Sequence, residues 1–355
     1  MIKKILLPSA KLKPLFTDAS KLQFGCTFTD YMFTMEYTPE KGWHDATIKP
    51  YQALSLDPAA SVLHYGQEVF EGQKAYQAND GKILLFRSQE NAKRLNTSLK
   101  RLCMPEIPEE IYLEAVYELV KLEKRWIPQE VGTSLYIRPV VIATEPVLGV
   151  KASRNYLFYI ILSPTAGYFQ GGFNPIGLWV SEFFIRAAIG GTGEAKTGGN
   201  YASSILVGQE AQKNGYNQVL WLDAQEHKYI EEVGASNIFF VIGEKLVTPK
   251  LSGSILSGIT RKSVLQIAND LGIQTEERAI TIQEVVDGIK SGLIKEIFGS
   301  GTAAVIIPVG KICYKKQEYV ISHEPGVWTQ KFYTALTDIQ YGKVTDPYGW
   351  MIEVL

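Results

Sequence analysis

At 355 residues, with 46% apolar and 21% charged side chains, the chain has the length of two domains and the composition of a globular protein with a sizeable core. Its 36 basic and 37 acidic residues give a net charge of −1, which leaves no excess to neutralise a phosphate backbone and sets nucleic acid aside as a partner. Three scattered cysteines (Cys26, Cys103, Cys313) and four histidines, without metal-ligand spacing, argue against a disulfide framework and against a metal site.

The start, MIKKILLPSAKLKP, has too short an apolar run for a signal peptide, and no stretch is apolar enough to span a bilayer. A reducing, cytoplasmic setting is the expectation. Residues 88–102 predict a helix capped by Ser88, with Leu95, Leu99 and Leu102 at helical spacing. A second helix follows Pro108, with Ile111, Ala115, Leu119 and Leu122 on one face. Residues 133–143 and 154–162 are strand-like, rich in β-branched and aromatic side chains. The stretch 163–175 concentrates Gly, Pro and Ser and is the expected linker between a smaller N-terminal α/β domain (1–162) and a larger C-terminal domain (176–355). Further on, strands are expected at 176–181, 218–223 and 236–248, the last as a hairpin around Gly243. Helices are expected at 200–214, at 260–271 ending on Gly272, and from the capping-box spacing Thr281…Glu284. Strands and helices mix in both halves, so the fold class is α+β, a mixed α/β protein of two domains.

The glycine-dense run GGTGEAKTGGNY (190–201) nearly matches a phosphate loop, but Ala195 stands where the glycine before the lysine is required, and Gly198 and Gly199 interrupt any helix starting there. On its own the run reads equally well as a surface loop with a solvated lysine. Other segments decide. SVLHYGQEVFEGQKAY (61–76), SLYIRPV (134–140), YIEEVGASNIF (229–239), LSGITR (256–261) and FGSGTAA (298–304) lie in register with it. Together the six segments resemble the branched-chain aminotransferases, within the fold-type IV pyridoxal-phosphate enzymes of the D-amino-acid-aminotransferase type. The resemblance runs from about Phe24 to the C-terminus; FTDYM (28–32) and RLCMP (101–105) bring it closest to the larger form that includes the animal enzymes.

The resemblance implies pyridoxal phosphate held as a Schiff base on Lys196, which also moves the proton of the substrate α-carbon. The ring nitrogen needs a buried carboxylate, and the family's register selects Glu232; its neighbour Glu231 is expected to point the other way into solvent. The phosphate falls to Arg94, with Arg101 as the alternative. Ile259 and Thr260 at a helix start and Thr302 complete its cradle, and Tyr201 meets the phenolic oxygen. Phe24, Tyr65, Phe70 and Tyr168 match pocket aromatics, Tyr65 reaching across from a partner subunit of a homodimer. Tyr136 and Arg138 share a strand face, where the arginine can pair with the γ-carboxylate of glutamate. Backbone groups at Thr302 and Ala303, with Ala235, fall to the α-carboxylate. The expected partners are small molecules alone: branched-chain amino acids, 2-oxoglutarate and glutamate. A CxxC pair that animal members carry is replaced by Ala304 and Ile307, so a thiol switch there is not expected.

Overall fold

A computed structural model describes residues 2–130, 132–167 and 172–355. The chain divides into two compact units: residues 1–168, 195–198 and 338–355 form the first, and 169–194 with 199–337 the second. This division departs from the expected boundaries in two places. Four residues around Lys196 group with the first unit, and so does the C-terminal tail, whose strand Met351–Glu353 pairs with Ile83–Phe86. The strand Tyr156–Thr165 also extends into the expected linker, because Ser134–Ala143 pairs with it along its whole length.

The first unit is built on a nine-stranded sheet. Its order is Lys3–Lys4, Gly42–Pro50, Tyr31–Thr38, Tyr156–Thr165, Ser134–Ala143, Gln73–Gln77, Ile83–Phe86, Met351–Glu353, with Glu68–Phe70 paired to Ser134–Ala143. One face is apolar and carries Phe33, Leu135, Ile137, Val141, Phe158 and Ile160, all fully buried. Against it pack the helices Ser88–Arg101 and Glu109–Leu122. Alternation along strands puts Ser134, Tyr136 and Arg138 on the other face. The first helix is one residue offset from expectation: Arg87, in the left-handed region at φ 51, is its N-cap, and Ser88 is its first helical residue.

A second nine-stranded sheet, with three parallel pairings where the first has one, organises the other unit. Its order is Ile230–Val233, Gln218–Leu222, Ile176–Val180, Val305–Tyr314, Ile294–Gly301, Asn237–Ile242, Lys245–Pro249, Gln274–Arg278, with Gln317–Val320 on Val305–Tyr314. The hairpin turns at Gly243 (φ 60) as expected, and Gly272 (φ 67) follows the helix Ile259–Asp270. Thr281 caps Ile282–Ser291 by accepting from the Glu284 N–H. The helix expected over 200–214 is broken into Gly199–Ala202 and Ile205–Lys213. At the break the Ser203 and Ser204 hydroxyls donate to the carbonyls of Asn200 and Tyr201, side-chain competition with the helical ladder.

Candidate active site

In the first unit the Lys196 backbone is pinned from two sides. Its N–H donates to Ser98 Oγ at 2.9 Å, and its carbonyl accepts from Phe70 N at 2.9 Å. Two residues on, Gly198 N donates to the Glu68 carboxylate, and a Cβ at Gly198 would stand 2.3 Å from Glu68 Oε1, so a larger residue would push the Glu68 carboxylate aside. No helix opens on the lysine; the next begins at Gly199, which removes the phosphate-loop geometry. The amine lies 4.8 Å from the centroid of the Phe70 ring, and the Arg138 guanidinium stands over the same ring at 4.6 Å.

Around Phe70 the structure gathers most of the expected substrate residues of this unit. Arg138 Nη2 donates to the Tyr136 hydroxyl at 3.1 Å, and Phe24 meets Tyr136 edge-on at 4.8 Å. The Tyr136 hydroxyl abuts Gly72, where a Cβ would lie 2.0 Å from it. Tyr65 stands apart from this group, half exposed, its hydroxyl donating to the Leu148 carbonyl. Tyr168 lies outside the described residues.

The helix Ser88–Arg101 turns Asn91, Arg94 and Ser98 to one side, the spacing that shares a helical face. Arg94 grips the fully buried Glu71 in a fork: Nε to Oε1 at 2.7 Å and Nη2 to Oε2 at 2.9 Å. Asn91 Nδ2 donates to Glu71 Oε2 at 2.8 Å. Burial pushes the Glu71 carboxyl up, but the Arg94 charge and fork, with Lys196 and Asn91, hold it below the usual carboxylate range. Arg101 is exposed at the helix end. The sequence assigns Glu71 no role: Glu68, Gln67, Gln73 and Lys74 stand in the same segment, and nothing local distinguishes the one carboxylate that a helix arginine will fork.

In the second unit both Glu231 and Glu232 are buried, against the expectation of a solvated Glu231. The cause is a bulge. Leu220 pairs with Val233 and Leu222 with Ile230, so two residues oppose Trp221 alone and in-out alternation fails. Glu231 receives the Ser254 hydroxyl, and burial raises its carboxyl. Glu232 Oε1 accepts from Leu256 N at 2.8 Å and Asn237 Nδ2 at 3.3 Å, and its Oε2 lies 3.0 Å from Arg186 Nε. Arg186 is itself buried and donates to the carbonyls of Gly193 and Ser254. It escaped sequence reasoning because nothing local marks an arginine destined for a distant carboxylate.

The helix Ile259–Asp270 opens on Gly258, which has no side chain to cap it. The N–H groups of Ile259 and Thr260 and the positive end of the helix dipole are therefore a fit for an anion. A Cβ at Gly258 would lie 2.0 Å from Asn237 Oδ1. Asn237, whose amide also reaches Leu256 O at 2.9 Å, thereby ties this helix start to Glu232. Asn237 pairs with Ser300 across the sheet. The turn carrying Thr302 and Ala303 and the turn carrying Ala235 thus sit at one end of that strand pair; a Cβ on Gly301 would lie 2.8 Å from Ser236 Oγ. Tyr201 is half-buried in Gly199–Ala202. The second unit's buried carboxylate beside an arginine and its uncapped helix start, and the first unit's pinned lysine, are each parts that pyridoxal phosphate chemistry requires.

The chain belongs to the class IV aminotransferases, whose family model matches residues 68–312. Among curated relatives, branched-chain-amino-acid aminotransferase 2 of Bacillus subtilis (strain 168) is 52% identical over 350 residues, 98% of this chain and 96% of that one. Branched-chain-amino-acid transaminase 1 of the same organism is 53% identical over 339 residues, 95% of each. Among solved structures, the branched-chain amino acid aminotransferase of Escherichia coli matches with a TM-score of 0.77 at 28% identity, over 92% of this chain and 99% of that one. The Thermobaculum terrenum enzyme, solved in its PLP-form, gives 0.75 at 26% identity, over 92% and 98%. The mixed α/β, fold-type IV architecture expected from the sequence is the one found.

Proposed function

We propose that the chain is a branched-chain amino acid aminotransferase dependent on pyridoxal phosphate. It moves the amino group reversibly between L-leucine, L-isoleucine or L-valine and 2-oxoglutarate, giving branched 2-oxo acids and L-glutamate. The observation that carries this reading is the Phe70 ring with the Lys196 amine and the Arg138 guanidinium both upon it. It joins an aldehyde-binding amine, an apolar wall and a carboxylate receptor in one place.

Pyridoxal phosphate, when bound, supplies the electron sink that lets the α-proton leave. The chain's residues do the rest. Lys196 holds the cofactor aldehyde and carries the proton at the substrate α-carbon, its backbone fixed by Ser98 and Phe70. Glu232, 3.0 Å from Arg186, would hold a proton on the ring nitrogen. Arg94, aimed by Glu71, takes the phosphate with the N–H groups of Ile259 and Thr260 and with Thr302, and Tyr201 donates to the phenolic oxygen. Thr302, Ala303 and Ala235 offer backbone donors to the α-carboxylate. Phe24, Phe70 and the Tyr136 ring receive an aliphatic side chain; Arg138 and the Tyr136 hydroxyl receive a γ-carboxylate. The enzyme acts as a cytoplasmic homodimer. Leu63, on the helix that ends in Tyr65, and Leu148, whose carbonyl accepts from the Tyr65 hydroxyl, are 58% and 64% exposed, apolar surface suited to a second copy that would bring Tyr65 to its partner's pocket.

The test is glutamate formation from 2-oxoglutarate with each of leucine, isoleucine, valine and D-alanine. Activity with the three branched L-amino acids and none with D-alanine is expected. Turnover of D-alanine with indifference to leucine would assign the chain to a sibling activity of the same fold.

A further inference from the structure

We infer that Glu68 is a positioning residue for Lys196: by holding the Gly198 N–H, its carboxylate fixes the course of the chain beyond the lysine and so the direction of its amine. The inference rests on the proposed function, in which that amine carries the cofactor and the α-proton. Glu68 opens the strand Glu68–Phe70 and lies opposite Ile142, while Phe70 lies opposite Val140. Residues two apart on a strand, and residues opposed across antiparallel strands, share a face. Glu68 and Phe70 therefore stand on the face that carries Arg138, Val140 and Ile142.

The lysine segment is held at both of the peptide groups next to Lys196 and again beyond them. Ser98 Oγ accepts from the Lys196 N–H, and the Phe70 N–H donates to the Lys196 carbonyl. The next N–H along that strand, of Glu71, turns the other way to Pro139 on the paired strand, so the lysine segment occupies the strand's free edge. A single hydrogen bond lets a peptide group swing about it. The bond from Gly198 N to the Glu68 carboxylate adds a hold two residues further on, where it removes that swing. Ala195 and Thr197 are buried on either side, and Lys196 between them is half-buried with its amine upon the Phe70 ring. A small rotation of this segment would carry the amine off that ring.

Both partners of the bond are shaped to it. Gly198 does not lie in the left-handed region, so its backbone conformation does not call for glycine. Its missing Cβ leaves room for the carboxylate instead, since a Cβ would stand 2.3 Å from Glu68 Oε1. Glutamate is in turn a poor strand former, and nothing in its pairing with Ile142 calls for one. What it offers is an anionic acceptor, which binds an N–H more strongly than a neutral one does. Burial pushes the Glu68 carboxyl up, and the Gly198 N–H and the Arg138 charge oppose that. Arg138, on the same face, attracts the carboxylate and helps to keep it in place.

The test combines amide hydrogen exchange of the holoenzyme with the leucine half-reaction, followed as loss of the visible band so that no dicarboxylate is involved. Glu68→Leu removes the acceptor, and Gly198→Ala pushes it away from the other side. Each should speed exchange at residue 198 roughly 10- to 100-fold, with the strands of the same unit unchanged. Each should also lower the maximal rate of bleaching roughly 10- to 100-fold while the half-saturating leucine concentration stays within about twofold, because the amine is misplaced and the pocket is not. The double variant should be no slower than the slower single one, as expected of two halves of one contact. Glu68→Gln keeps an acceptor and should recover the rate to within roughly fivefold of the wild type. An unaltered bleaching rate in Glu68→Leu, faster exchange throughout the unit, or rate losses that multiply in the double variant would overturn the inference and leave the aminotransferase reading intact. A wild-type band indifferent to leucine would overturn that reading instead, and exchange at residue 198 that Glu68→Leu does not alter would overturn the inference in either case.

Discussion

Each unit sets an arginine against a buried glutamate, and the two pairs work in opposite senses. In the first unit Glu71 is the support: fully buried and forked onto Arg94, it aims a guanidinium proposed to meet phosphate. In the second Arg186 is the support, anchored on the carbonyls of Gly193 and Ser254 beside Glu232, the carboxylate proposed to act. A buried charge needs a partner in either case, because its desolvation otherwise outweighs any gain. Which member faces the chemistry follows from what that place needs: a cation for phosphate, an anion for a ring nitrogen.

The difference can be broken experimentally, starting with the largest effect. Glu71→Leu strands Arg94 in the interior and should cost about 3–5 kcal/mol of stability, read from denaturant midpoints. Adding Arg94→Met should restore most of that stability while cofactor affinity stays weak. If the double variant binds pyridoxal phosphate as the wild type does, Arg94 does not hold the phosphate. Glu232→Gln keeps the shape but not the charge, so turnover should fall by about 10²–10³-fold with the cofactor still bound; a smaller loss than tenfold would remove Glu232 from the chemistry.

Another buried acid shows what happens without a forked arginine. Glu123 is 1% exposed and raised to about 7. Burial is the main cause, only partly offset by the hydrogen bonds from Tyr31 N and Thr29 and by Arg125. The folded state holds this proton where the unfolded chain has released it. The associated stability is therefore complete below about 4.5 and is lost as pH rises through about 7, by at most ~3 kcal/mol. Glu123→Gln should flatten the stability profile over that window. An unaltered slope would mean that Glu123 is ionised in the folded protein. Glu71, held low, contributes in the opposite direction and loses its share as pH falls.

Much of this was legible in the chain. Period-two alternation placed Tyr136 and Arg138 on one face, and Gly243, Gly272 and Thr281 marked their turns and caps because the conformations they adopt are local. What was missed depends on distant partners. The bulge opposite Trp221 buries Glu231, Arg186 finds a glutamate far along the chain, and Met351–Glu353 joins a sheet edge set by Ile83–Phe86. The segment holding Lys196 also reads as part of the second unit until Ser98 and Phe70 are seen to claim it. None of these pairings leaves a trace in local composition.

The central claim, that Lys196 carries the cofactor of a branched-chain aminotransferase, is tested most directly by visible absorption of the purified holoenzyme beside Lys196→Ala. A yellow band that bleaches with L-leucine and returns with 2-oxoglutarate, and a variant that does neither, is the predicted result. A wild type that stays colourless with added pyridoxal phosphate, or a variant that cycles as the wild type does, would contradict it.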